Sequence, residues 1–225
     1  MIYGISIDRI NTLIEYGLML CADLSIGMPE PRTTYVTIPE ADGDLDLTGA
    51  LTGGVVRYGM RQLSFSLFPV HDVVANTRHP ATEEHVTIVR QALAGLVHGK
   101  KCKVWLPDDA NHYFYGRLSI GERGSYNSGL IPVAMTADPW RYKTDVTELT
   151  VSEDGRVTLM NEEMPAVPTF IATDAVATVT FNSVSHQLRP GANAFDDIVF
   201  GPGMNALTFS DIDDPVTVQY QEGAF

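Results

Sequence analysis

Apolar and polar residues alternate strictly just after residue 60. Leu63, Phe65 and Leu67 fall on one side of an extended chain, and Ser64, Ser66 and Phe68 on the other. That period of two marks a strand with one buried face. Upstream, the β-branched and aromatic run Thr33-Thr34-Tyr35-Val36-Thr37-Ile38 stops at Pro39. An acidic knot follows, Asp42-Gly43-Asp44-Leu45-Asp46-Leu47-Thr48. Asp-Gly is the dipeptide of a two-residue hairpin turn, since glycine takes positive φ without steric cost. Tyr3 to Ile7 reads as a first strand and Gly17 to Ile26 as a second extended piece.

One segment has a different period. Val86, Val89, Leu93, Leu96 and Val97 recur at helical spacing, with Thr82 placed to cap the start and Gly99 to end it. Strands resume over 101–106, 113–120 and 130–137, closing at Asp138-Pro139-Trp140. Short strands then follow at 149–151, 156–160, 169–172, 177–181, 185–188, 194–199, 206–209 and 216–220. Glu153-Asp154-Gly155 between the first two of these reads as a hairpin turn. Turns at such regular spacing argue a β-sandwich. The fold class is mainly β: an N-terminal β-rich domain with one α-helix over 1–143, then a sandwich over 144–225.

Charge sharpens that division. The chain of 225 residues carries a net charge of −13. Residues 1–143 hold 15 acids and 13 bases, whereas 144–225 hold 13 acids and only Arg156 and Arg189. A basic nucleic-acid footprint is absent, and an anionic membrane surface would repel the molecule. The near-neutral first half can approach copies of itself; the acidic second half resists doing so. The first half is therefore expected to carry assembly contacts, with the second standing outside them. Cys21 and Cys102 sit in apolar surroundings and read as free thiols. Met1 to Asp8 lacks the charged region and cleavage site of a signal peptide.

The sequence carries no motif of a reaction centre. Asp42, Asp44 and Asp46 match the first three acids of a calcium loop, but Leu47 stands where its glycine belongs and Gly53 where its bidentate glutamate belongs. Gly121-Glu122-Arg123-Gly124-Ser125 lacks the Lys-Ser/Thr ending of a phosphate loop and reads as a hairpin loop. No catalytic, cofactor-binding or metal-ligating residue is assigned.

Taken together, these stretches resemble the distal tail protein (Dit) family of long non-contractile-tailed phages of Gram-positive bacteria. Tyr35-Val36-Thr37-Ile38-Pro39 with the acidic knot is similar to its V-x-(V/I)-P-x-x-D-G-x-x-D-x-T signature. Arg61 and Leu63–Leu67 resemble its next strand, and Leu96-Val97-His98-Gly99-Lys100 its helix end. Tyr113–Leu118, Asp138-Pro139-Trp140-Arg141-Tyr142, Asn161, Pro165, Pro168, Pro202–Leu207, Val216–Tyr220 and Glu222-Gly223 resemble later signatures in the same order.

The resemblance implies an N-terminal ring-forming domain and a galectin-like C-terminal sandwich. It implies a homo-hexamer, with back-to-back rings an arrangement open to it in isolation. The ring would join the major tail tube protein to a tail-associated lysin or fibre protein and to peripheral baseplate proteins. DNA would pass through its lumen without specific binding, which suits an acid-rich wall that cannot hold phosphate. The protein would be made in the host bacterial cytoplasm and reside at the virion's tail tip, with no membrane, cofactor or enzymatic activity, in a phage or a prophage. The rival classes are a carbohydrate-binding module on the galectin-like half and a cell-wall hydrolase. Trp105 and Trp140, the sugar-stacking candidates, lie outside that half as the sequence divides it.

Overall fold

A computed structural model describes residues 3–8, 10–50, 52, 54–72, 77–80, 82–121, 129–173 and 177–225. Most of the loop read between Gly121 and Gly129 lies outside them. Contacts divide the chain into two compact units, Met1–Pro139 and Trp140–Phe225.

The first unit contains β1 (Ser6–Ile7), β2 (Ile10–Asn11), α1 (Thr12–Tyr16), β3 (Leu18–Leu20), β4 (Ser25–Ile26), β5 (Tyr35–Thr37) and β6 (Asp44–Asp46). It continues with β7 (Arg61–Asp72), β8 (Thr77–Pro80), α2 (Glu83–Val97), β9 (Lys101–Leu106), β10 (Asp109–Ile120) and most of β11 (Ile131–Lys143). The main sheet runs β2-β1-β9-β10-β11-β7-β3, with β4 and β8 also pairing with β7. The alternation at 63–67 is the core face of β7: Leu63, Phe65 and Leu67 are buried with Val104, Phe114, Leu118 and Met135. Against them α2 places Val89, Leu93 and Val97, while Leu96, which the periodicity also assigned to the apolar face, is exposed.

Thr82 caps α2 by accepting from the His85 N–H at 3.3 Å. At its other end His98 Nδ1 accepts from the Ile120 N–H at 3.0 Å, and the Gly99 N–H donates to the Leu118 carbonyl at 2.8 Å. The helix end is thereby fixed to β10. Gly116 lies in β10 where a side chain would have no room, because an added Cβ would fall inside the van der Waals distance of the Thr136 carbonyl oxygen and the Ala137 Cα.

Besides the helix read from periodicity there is a second, α1. It is one turn long, too short for any period to show. Its ends are nonetheless chemical: Asn11 Oδ1 accepts from the Leu13 and Ile14 N–H groups, and Gly17 closes it at φ +61°.

The second unit contains β12 (Thr147–Val151), β13 (Gly155–Asn161), β14 (Thr169–Ala172), β15 (Thr178–Phe181), β16 (Val184–Gln187) and β17 (Gly191–Ala194). β18 (Gly203–Ser210), β19 (Val216–Tyr220) and β20 (Gly223–Ala224) complete it. Two four-stranded sheets, β12-β19-β14-β17 and β13-β18-β15-β16, enclose Phe170, Val179, Phe200, Leu207, Phe209 and Val218. This is a β-sandwich.

Glu153-Asp154-Gly155 is not a hairpin turn. β12 and β13 belong to different sheets, and Asp154 Oδ1 accepts from the Ile212 N–H at 2.9 Å, tying the crossing to a distant loop. The strand expected over 194–199 lies earlier, at Gly191–Ala194; beyond it Ile198 enters the core from irregular backbone and Phe200 from an isolated antiparallel bridge to Ala166.

Trp140 belongs to the second unit, where its ring packs at a tilt against Phe225 with centroids 4.2 Å apart. Arg141 and Tyr142 pair with Ala224 and Gly223. Beside them the Lys143 ammonium meets Glu222 Oε1 at 2.6 Å, and the Thr147 hydroxyl donates to the same oxygen. Burial opposes ionisation of Glu222, but the bonds from Lys143 and Thr147 outweigh it and hold the carboxyl below its ordinary range; the bond to Glu222 raises Lys143. Tyr220 is pushed up to about 12 by burial and by Glu222, so its hydroxyl stays protonated and donates to the Met160 carbonyl.

A depressed carboxyl stabilises the folded state above its unfolded value, and that contribution is lost as pH falls through the folded value. A raised ammonium contributes below its unfolded value and is lost as pH rises through the folded one. Glu222→Gln should therefore lower the second unit's melting temperature at pH 7. The gap to wild type should close as pH falls below the carboxyl's ordinary 4.5. Calorimetric scans from pH 7 to pH 3 check this; a gap that persists unchanged at pH 3 would remove the charge from the explanation.

Candidate assembly interface

The acidic knot and the strand before it form an arm. β4 and β7 are antiparallel neighbours, with Ser25 opposite Ser64 and Ile26 opposite Leu63, and their connection runs out as a ribbon of its own. Its root is fixed. The buried Arg61 donates from Nε to the Gly27 carbonyl at 2.9 Å and from Nη1 to the Pro139 carbonyl at 3.3 Å, and its guanidinium lies 5.1 Å from the Phe114 ring centre. The Gly59 N–H donates to the Glu30 carbonyl at 2.8 Å, Pro31 bridges Tyr58, and the Arg32 N–H donates to the Arg57 carbonyl at 2.7 Å.

Beyond the root, β5 and β6 pair with Tyr35 opposite Asp46, Val36 opposite Leu45 and Thr37 opposite Asp44. The hairpin read from Asp42-Gly43 is present, but its turn spans six residues, Ile38 to Gly43, with Glu40 and Gly43 at positive φ. Pro39 lacks the N–H that a tighter ladder would use. From Glu30 to Thr37 the ribbon extends roughly 20–25 Å.

Every residue from Glu30 to Leu47 is exposed. Tyr35, Val36, Ile38, Leu45 and Leu47 expose between 37% and 57% of their surface. A two-stranded ribbon is marginal alone in water, and such a run of exposed apolar side chains marks an interaction surface. Pleating sorts the residues: Val36 and Leu45 share one face, while Tyr35, Thr37, Asp44 and Asp46 share the other.

Asp46 is a local cap rather than a ligand. Its Oδ1 accepts from the Thr48 N–H at 2.9 Å, and hydrogen bonding to Thr48 lowers its pKa. Among the described residues no three His, Cys, Asp or Glu side chains converge as a metal site. Cys102 is buried, its thiol pushed up to about 11 by burial and by Asp8, and is unsuited to nucleophilic work.

The sandwich carries a groove of about 780 Å³ lined by polar residues including Arg156, Thr180, Asn182, Asn205 and Thr208. Phe181, the one ring in its wall, is only 7% exposed, so the groove offers no aromatic platform for a sugar. Trp140, now placed within this unit, has its ring occupied by Phe225.

No protein-family model matches the chain, and no curated protein matches it. Among solved structures it is similar to SPP1 Dit (gp 19.1), described as a paradigm of the hub adsorption apparatus in phages infecting Gram-positive bacteria. The similarity covers 100% of both chains at a TM-score of 0.63, with 15% sequence identity. Over its whole length, then, this chain has a Dit-like, mainly β fold.

Proposed function

We propose that this protein is a structural distal tail protein of a phage or prophage, a homo-hexameric hub joining the tail tube to the host-adsorption apparatus. The observation that carries the reading is the exposed arm on a chain with a Dit-like fold. A rooted ribbon with apolar side chains in water needs a partner surface. A head-to-tail contact between identical copies supplies one and closes into a ring.

In this reading residues 1–143 carry the ring contacts. The acidic, galectin-like sandwich stands outside them and meets peripheral baseplate proteins. The ring's faces meet the major tail tube protein and a tail-associated lysin or fibre protein, and DNA passes through the lumen unbound. The protein acts at the tail tip of the virion, is made in the host cytoplasm, and catalyses nothing.

Light scattering on concentrated protein should find a species near six times the 24.6 kDa chain mass, or twelve times if rings stack. A strictly monomeric protein, with no ring in negative-stain images even beside its tail-tube partner, would defeat the proposal.

A further inference from the structure

The outer face of β9 and β10 is the cationic exception on an acidic protein. Lys101 lies opposite Arg117 and Lys103 opposite Tyr115, while the alternate residues Cys102 and Val104 turn into the core. Lys100 adjoins them. None of these four cations has a carboxylate within ion-pair distance among the described residues. Instead Lys101 Nζ lies 5.3 Å from the Tyr115 ring centre and Lys103 Nζ 4.3 Å from that of Tyr113. Arg117 donates to the Gly99 carbonyl, and Lys100 to the Gly95 carbonyl at 3.1 Å. The acid Asp8 is near, its Oδ1 accepting from the Lys103 backbone N–H.

Beside this face opens a groove of about 400 Å³ lined by Met60, His98, Lys101, Arg117, Leu118 and Thr136 among others. Met60 there is 46% exposed.

The arm is the complement. From Thr33 to Ala50 it carries Glu40, Asp42, Asp44 and Asp46 and no base. The match extends to spacing. Asp44 and Asp46 are alternate residues of one strand, on one face, and so are Lys101 and Lys103, which sets both pairs about 6.6 Å apart. Tyr35 stands opposite Asp46 on the same ribbon face. Its ring is sized for the apolar groove, next to the Arg117 guanidinium.

We propose that the acidic face of one copy's arm lies on the Lys101–Lys103–Arg117 face of the next copy, with Tyr35 entering the groove beside it. This rests on the arm being a ring contact, and it names the surface that receives it. The contact is head-to-tail, so each copy gives one arm and receives one.

Charge reversal tests it in the full chain. Lys101→Glu/Lys103→Glu and Asp44→Lys/Asp46→Lys are each expected to weaken assembly by about tenfold or more at low salt, with unchanged melting temperature. Both reversals in one chain should recover assembly to within about threefold of wild type, because opposite charges again face each other. If the lysine reversal leaves assembly intact while the aspartate reversal abolishes it, the arm docks elsewhere; this proposal fails and the arm reading stands. Failure of the combined chain to recover, with both singles weakened, also overturns it. A wild-type chain that never assembles removes both ideas together.

Discussion

Gly116→Val is expected to prevent the first unit from folding, whereas Gly95→Ala is expected to stabilise it. A Cβ at 116 would meet the Thr136 carbonyl oxygen and the Ala137 Cα. Both are backbone atoms of a strand hydrogen-bonded on each side, so neither can yield as a flexible side chain could. Overpacking a core typically costs about 1–3 kcal/mol when side chains adjust, and here the displacement must pass into the sheet. A loss above about 4 kcal/mol is a large share of a domain's stability.

Gly95 is the control. It sits on the exposed face of α2 with nothing within 4 Å of an added Cβ, so alanine should add about 0.5–1 kcal/mol. Soluble yield and thermal unfolding of the two variants decide this. A Gly116→Val chain that melts near wild type would mean that β10 and β11 are not packed as described.

Replacing Val36, Leu45 and Leu47 by serine is expected to abolish assembly while leaving the fold intact, because an arm clasped between copies is covered on this face as well as on the acidic face opposite. Each side chain is close to half exposed, so covering it in an interface is worth about 1 kcal/mol. Three together are worth about 3 kcal/mol, or roughly a hundredfold in the dissociation constant of each contact. The arm contributes nothing to the first unit's core, so its melting temperature should not move. Sedimentation and calorimetry on the same samples separate the two effects. Unchanged assembly would exclude the arm's apolar face from the interface. A fall of many degrees in melting temperature would show that the arm packs on its own unit.

The parts of this fold that the sequence revealed are those in which local pattern and burial agree. β7 alternates because one of its faces is the core. Four of the five apolar positions read onto α2 are buried because its period matches the sheet beneath it. Other features depend on partners far along the chain. Asp154-Gly155 has hairpin chemistry, yet β13 finds β18 rather than β12, so the turn becomes a crossing between sheets. Gly191–Ala194 carries no apolar alternation because β17 is an edge strand of small residues, whereas the run ending at Val199 looks strand-like because Ile198 is buried in a loop. The cationic face was hidden for the same reason. Lys101 and Arg117 are sixteen positions apart, and only the β9–β10 register sets them side by side. Local signals existed for α1, namely Asn11 before it and Gly17 after it, but a single turn offers no repeat to draw attention to them.

The pairing of Arg141 and Tyr142 with Ala224 and Gly223, with Lys143 joined to Glu222, brings the two ends of the sandwich together. The first and last segments of that unit thus close on each other along one short seam. A module closed by its own terminal segments can be exchanged as a cassette, since its fold needs no strand from the rest of the chain at the junction. Recombination can thus substitute a different module here while the sheet that bears the arm stays the same.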